Sequence, residues 1–195
     1  MKKILSLGVC FVFIFQVARA QEETLISDLS FTGAFGGPIL EFSQINGQLT
    51  ADVGGGGALI LNNFFLGGYG MGTSFPEYTY ENKTYDILFK HGGLWMGYVQ
   101  KPYKLLHFYS SLKIGWGKSK LLLEKEAPYS DRIISLLPEI GVELNVTKFM
   151  HISFTGGYRV VSGVNKLPGL TNEDFSSPIG NITFRFGGFA SIDDF

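Results

Sequence analysis

The sequence predicts an all-β fold: eight amphipathic strands closed as an antiparallel up-and-down transmembrane β-barrel. Three observations predict it. First, the stretch from Ile133 to Val161 alternates with period two on both sides of a tight turn. Ile134, Leu136, Pro138, Ile140, Val142 and Leu144 interleave with Ser135, Leu137, Glu139, Gly141, Glu143 and Asn145. After Val146-Thr147-Lys148, Met150, Ile152, Phe154, Gly156, Tyr158 and Val160 interleave with His151, Ser153, Thr155, Gly157 and Arg159. Each arm is about 11–12 residues, close to what a tilted strand needs to cross a bilayer. Second, no stretch beyond residue 20 is long and apolar enough for a transmembrane helix, yet the chain holds 26 Gly, 18 Phe, 9 Tyr and 2 Trp. Third, short and long connections alternate along most of the chain, which gives a barrel one trimmed and one elaborate end.

Residues 1–20 carry a basic pair (Lys2, Lys3), an apolar run from Ile4 to Val17, and Ala18-Arg19-Ala20. This is the layout of a cleaved secretory signal peptide, and it leaves one barrel domain over 21–195. Lys2, Lys3 and Arg19 fall in that segment with no acid, so 16 basic and 17 acidic residues become 13 and 17, a net charge of −4. An acidic balance argues against a nucleic-acid partner. The single cysteine, Cys10, also lies in the signal segment, so the mature chain has no disulfide framework, thiol catalysis or thiolate metal site.

The strands follow in order. Gln21 to Asp28 is a short polar lead. The first strand begins at Leu29 and puts Phe31, Gly33 and Phe35 on one face; Pro38 suits an edge or bulge. Asn46-Gly47 is a tight-turn signal. The second strand, Gln48 to Leu61, sets Leu49, Ala51, Val53, Leu59 and Leu61 against Thr50, Asp52 and Ala58. Asn62-Asn63 turns into the third, the glycine-rich Phe64 to Ser74. A loop over 75–84 leads to the fourth, Tyr85 to Val99. There Asp86 and Lys90 share a parity with Leu94, Met96 and Tyr98, and a bulge at His91-Gly92-Gly93 would separate them. Residues 100–106 turn into the fifth strand, His107 to Gly117. Residues 118–132 read as a charged loop. The long hairpin supplies the sixth and seventh strands, with a bulge expected at Pro138. Residues 162–177 form the last long loop, and Pro178 to Phe189 the eighth strand.

The polar faces are rich in Gly, Ser and Thr rather than Lys and Glu, which suits a lumen better than a solvated surface. Aromatics gather towards strand ends: Phe64, Phe65, Tyr103, Phe108, Phe149 and Phe189 at one end, Tyr85, Trp116 and Tyr158 at the other, as two interfacial belts would require. With this pattern and the aromatic final strand ITFRFGGF, the chain resembles the small eight-stranded outer-membrane β-barrel proteins of the OmpA/OmpX and opacity type. The resemblance implies residence in the bacterial outer membrane, contact with its lipid, and recognition of a terminal aromatic, Phe189 or Phe195, by the barrel-assembly machinery. It implies no cofactor.

Lipid-facing charge is costly, about 2–4 kcal/mol for Lys or Arg at the midplane. Asp52, Lys113, Glu139, Glu143, Arg159 and Arg185 are therefore expected inside, where they would pair and plug the lumen. The glycine runs Gly54 to Gly57 and Gly67 to Gly72 lack the Lys-Ser/Thr and the helix of a phosphate loop. His91, His107 and His151 fit no metal spacing, so neither a metal nor a catalytic residue is expected. The reading that results is a non-enzymatic structural or interaction protein, with an extracellular partner met through 75–84, 118–132 and 162–177. The alternatives are a lipid-modifying enzyme, a narrow porin-like channel, and a soluble lipocalin-like binder with its faces inverted.

Overall fold

The computed structural model describes residues 30–73, 76–124 and 126–189. The expected signal peptide, the polar lead and Phe195 lie outside these residues. Within them the strands are β1 (Phe31–Ile45), β2 (Gln48–Leu61), β3 (Phe64–Thr73), β4 (Glu77–Tyr80), β5 (Lys83–Gln100), β6 (Leu106–Leu123), β7 (Glu126–Asn145), β8 (Met150–Ser162) and β9 (Ser177–Phe189). A single-turn helix, α1 (Asn172–Phe175), precedes β9. Eight of the strands form a ring of antiparallel neighbours: β1, β2, β3, β5, β6, β7, β8 and β9, with β9 pairing back onto β1. The ring leaves none of its strands with an open edge. The remaining strand, β4, pairs only with β5, as a small hairpin beyond the ring.

Asn46 and Gly47 both adopt left-handed backbone (φ 51° and 73°), as the two-residue turn between twisted strands demands. Glu81 and Asn82 do the same between β4 and β5. Along each strand side chains alternate between lumen and exterior. Leu94, Ile114, Leu136 and Val160 share one outward row across β5 to β8. On β6 the outward residues from Leu106 to Trp116 contain no charge. At ~3.3 Å per residue and a tilt of ~40°, that run covers roughly 25 Å, the height of a lipid-facing band. This arrangement, an uncharged apolar exterior around a lumen that holds the buried charges, is the inverse of a soluble lipocalin-like barrel.

Several expectations need correction. Residues 118–132 are not a loop: β6 and β7 stay paired through Lys118↔Arg132, Lys120↔Ser130 and Leu123↔Glu126. Lys118, Lys120 and Arg132 are outward residues of strands that continue above the apolar band, while Asp131 points inward and is buried. The segment 75–84 is likewise not all loop, because it contains β4. No bulge occurs at His91-Gly92-Gly93; the registers of β5 against β3 and β6 run through unbroken. Asp86 and Lys90 keep the outward parity of Leu94 because β5, too, passes out of the apolar band. Pro138 and Pro38 each interrupt the ladder on one side, towards β8 and β9 respectively, without shifting its register. A closed ring offers a proline no edge, so each strand loses a donor and keeps its alignment. Register slips by one instead between Phe31 and Gly33, on β1 against β2, and between Leu121 and Leu123, on β6 against β7 near its turn. The first of these matters for the faces of β1. The slip in β1 sends Phe31 outward and Phe35 inward, where one shared face was expected.

Inside, one apolar cluster (Phe35, Ile39, Phe65, Met71, Trp95 and Tyr109 among others) fills the lower lumen, nearer the short turns at 62–63, 101–105 and 146–149. Another (Tyr85, Ile87, Phe89, Leu121, Ile133 and Phe175 among others) fills the upper end. Glycines make this filling fit. A Cβ on Gly97 would come within 2.3 Å of the Phe65 ring, and one on Gly115 within 2.3 Å of the Tyr69 hydroxyl.

Candidate functional site

The six charges singled out from the sequence all lie inside the ring, buried and tied to partners on other strands. Nearest the short turns, Glu143 on β7 accepts from Arg185 on β9 and contacts His107 Nε2 (3.2 Å) and His151 Nδ1 (3.1 Å). The Arg185 guanidinium lies 3.6 Å from the Phe35 ring centroid, a cation–π contact that spans the β9–β1 closure. In the middle, Lys113 Nζ donates to Glu139 Oε1 (2.5 Å), while Ser111 and Thr155 hydroxyls donate to Glu139 Oε2 (3.1 and 3.2 Å). Higher up, Arg159 Nη1 bridges Glu41 (3.0 Å) and Asp52 (2.7 Å). Its Nε donates to the Phe175 carbonyl (3.0 Å) and its Nη2 to the Gln44 carbonyl (3.2 Å). An isolated buried charge is expensive, and each of these ions has an opposite partner within bonding distance.

Glu41 was absent from the expected set. Its signal was parity: in Ile39-Leu40-Glu41-Phe42-Ser43 it shares a face with Ile39 and Ser43, opposite Leu40 and Phe42. The segment 162–177, expected as an outward loop, is also placed differently. This segment turns down into the barrel mouth. Val164, Leu167, Leu170 and Phe175 are buried there, with Phe175 stacked on Phe89 (centroids 5.4 Å apart). Asp131 anchors it: one carboxylate oxygen accepts the backbone N–H of Asn165 (2.8 Å), Lys166 (2.7 Å) and Leu167 (3.2 Å). Tyr78 on β4 clasps it from above through the Pro168 carbonyl (3.1 Å). Two of the three expected outward loops are thus hairpins in whole or part, and the third is a plug. Asp131→Ala should leave three N–H groups without their acceptor and cost about 1–3 kcal/mol. The readout is tryptic cleavage after Lys166, which should be faster in Asp131→Ala than in the parent.

Of the expected aromatic belts, Phe64, Tyr103, Phe108, Trp116, Phe149 and Tyr158 face outward. Phe65 and Tyr85 are buried in the lumen, and Phe189 is half-buried, stacked on His151 at 3.6 Å. Alternation forces the first correction, because neighbours Phe64 and Phe65 cannot share a face. Tyr85 belongs to the inward parity of β5, with Ile87 and Phe89. For Phe189 the stack on His151 favours a ring turned towards the lumen mouth over one turned to lipid.

The three histidines stand apart in chemistry. His107 and His151 serve Glu143. His91 Nδ1 lies 3.0 Å from the Tyr69 hydroxyl and 3.3 Å from Ser135 Oγ, and its Nε2 has no partner among the described residues. This Ser–His contact sits deep in the lumen, away from the rim that a lipid substrate would reach.

A closed antiparallel ring with an apolar exterior and an ion-paired interior defines a small membrane-spanning β-barrel. The solved structure of Neisserial surface protein A (NspA) has this fold: it aligns with a TM-score of 0.60 at 10% identity, over 84% of this chain and 99% of that one. Ail, the attachment invasion locus protein of Yersinia pestis, aligns at a TM-score of 0.49 and 16% identity, over 81% of this chain and 98% of that one, and equally in its complex with the heparin analogue sucrose octasulfate. No protein-family model and no curated protein matches the chain. The fold is that of the small eight-stranded outer-membrane β-barrel proteins.

Proposed function

We propose that this chain is a non-enzymatic barrel of the bacterial outer membrane, exported through its first twenty residues, with a structural or interaction role at the cell surface. The observation that carries this is the pairing of an uncharged lipid-height exterior with a lumen closed by ion pairs. Trp95, Phe89, Tyr109, Arg159 and Arg185 are each almost fully buried and occupy the space a conduit would need. An eight-stranded ring is narrow enough for side chains to fill. The parts free to meet a partner are the β4–β5 hairpin, the β6–β7 hairpin above the band, and the exposed crest of the plug at Asn165, Lys166 and Gly169. Lipid surrounds the band, and the assembly machinery inserts the barrel.

The test is gel mobility in SDS of protein from the outer-membrane fraction, with and without boiling. A closed ring resists detergent, so the unboiled form should run as a separate compact band. A soluble protein with one mobility under both conditions would overturn the proposal.

A further inference from the structure

On the exterior of β5, β6 and β7, Lys90, Lys118 and Arg132 stand in one row. Lys90 is the direct partner of Lys118, and Lys118 of Arg132. All three are exposed, and none of their side chains has an ion-pair or hydrogen-bond partner among the described residues. Like charges directly opposite on adjacent strands repel. Asp131, next to Arg132 in sequence, is buried, and one of its carboxylate oxygens is occupied by the plug's three N–H groups. Asp86 lies further above the band, paired with Leu122.

The row also has a defined height. Two residues towards the membrane on β6 and β7 lie Trp116 (61% exposed) and Ile134 (63% exposed), themselves partners. Below them Ile114 and Leu136 begin the aliphatic wall. An open cleft of about 580 Å³ spans this step, from Lys118 and Arg132 above to Trp116 and Ile134 below. A second depression of about 550 Å³ adjoins it, shares Lys118 and Arg132, and adds Lys166, Ser130 and the plug-bound Asp131, so three cations face one carboxylate already engaged by N–H groups. Over a few ångströms the surface thus passes from three cations to an aromatic and aliphatic floor.

We propose that this cleft binds one lipid of the outer leaflet that carries phosphate groups, its head group on Lys118, Arg132 and Lys166 and its upper acyl chain on Trp116 and Ile134. Charge complementarity selects an anion, and the apolar floor continuous with the lipid band selects a lipid over a free ion. Lys90, whose stem lies over Gly72 on β3, extends the cationic row and receives a second phosphate. The inference rests on the membrane-spanning reading above.

Tryptophan fluorescence tests it. The chain's other tryptophan, Trp95, is 1% exposed and lies inside the lumen, so quenching by bromine in lipid chains reports Trp116. The purified full-length barrel is reconstituted in phosphatidylcholine vesicles. A small fraction of the lipid is brominated phosphatidic acid in one sample and brominated phosphatidylcholine in another. Phosphatidic acid should quench more at equal mole fraction, and its relative association constant should fall about fivefold for each of Lys118→Gln and Arg132→Gln. Lys148→Gln, at the opposite end, should change nothing, and all variants should keep their heat-dependent gel shift. Inorganic phosphate alone should leave the fluorescence unchanged. Equal quenching by the two lipids, or a response to inorganic phosphate in place of lipid, overturns the lipid site while leaving the membrane barrel intact. No quenching by either lipid, with no gel shift, overturns the membrane reading and the site with it.

Discussion

Arg159→Leu should cost the barrel about 3–5 kcal/mol, the usual penalty for removing one partner of a buried ion pair. Two carboxylates, Glu41 and Asp52, would then face each other without their common cation, and the carbonyls of Phe175 and Gln44 would each lose a donor. The measurement is the temperature at which the compact gel band converts to the unfolded one. A triple variant that adds Glu41→Gln and Asp52→Asn should recover much of the loss, because neutral amides in place of the two ions remove the uncompensated charge. If Arg159→Leu alone matched the parent, the ion cluster would not be holding the upper lumen. Glu139→Leu should behave similarly, since it leaves Lys113 buried and unpaired.

Phe175→Ala should cost a comparable amount, about 3–5 kcal/mol, by emptying a fully buried aromatic site. It should also free the plug, which tryptic cleavage after Lys166 would register. It should not open a conductance in a planar bilayer, because Trp95, Lys113 and Glu139 still cross the lumen beneath it. A new conductance would make the segment a gate rather than a stopper. The two substitutions should not be additive. Arg159 bonds the Phe175 carbonyl, and both side chains rest on Phe89, so the double variant should differ from the sum of the singles by about 0.5–3 kcal/mol.

What the sequence made legible follows the membrane. Where a strand lies at lipid height, one face must be apolar, and period-two alternation exposes both its register and its orientation. Ile134 to Leu144 and Phe108 to Trp116 could be assigned residue by residue, and the inward set from Lys113 to Arg185 followed from them. Above the band that logic fails. Lys118, Lys120 and Arg132 are outward strand residues in water, and their charge made 118–132 look like a loop. The plug was hidden for a different reason: Leu167, Leu170 and Phe175 have no regular spacing, and only their burial in the folded mouth shows what they do. Glu41 was missed because the glycines and Pro38 before it blur the parity of β1.

The pairing of β9 with β1 sets the order in which this chain can be built. Every other ring contact joins strands that are consecutive in sequence, or, for β3 and β5, separated only by β4, whereas this one waits until the six other ring strands have been laid down between its two halves. Arg185 acts there as a latch: it is carried by the late strand and settles on Phe35 of the early one and on Glu143 across the lumen. Until it arrives, Glu143 lacks its guanidinium and the aromatic floor lacks its lid. An incomplete barrel therefore holds an open slit lined with uncompensated polar groups, and assembly is committed only when the last strand docks.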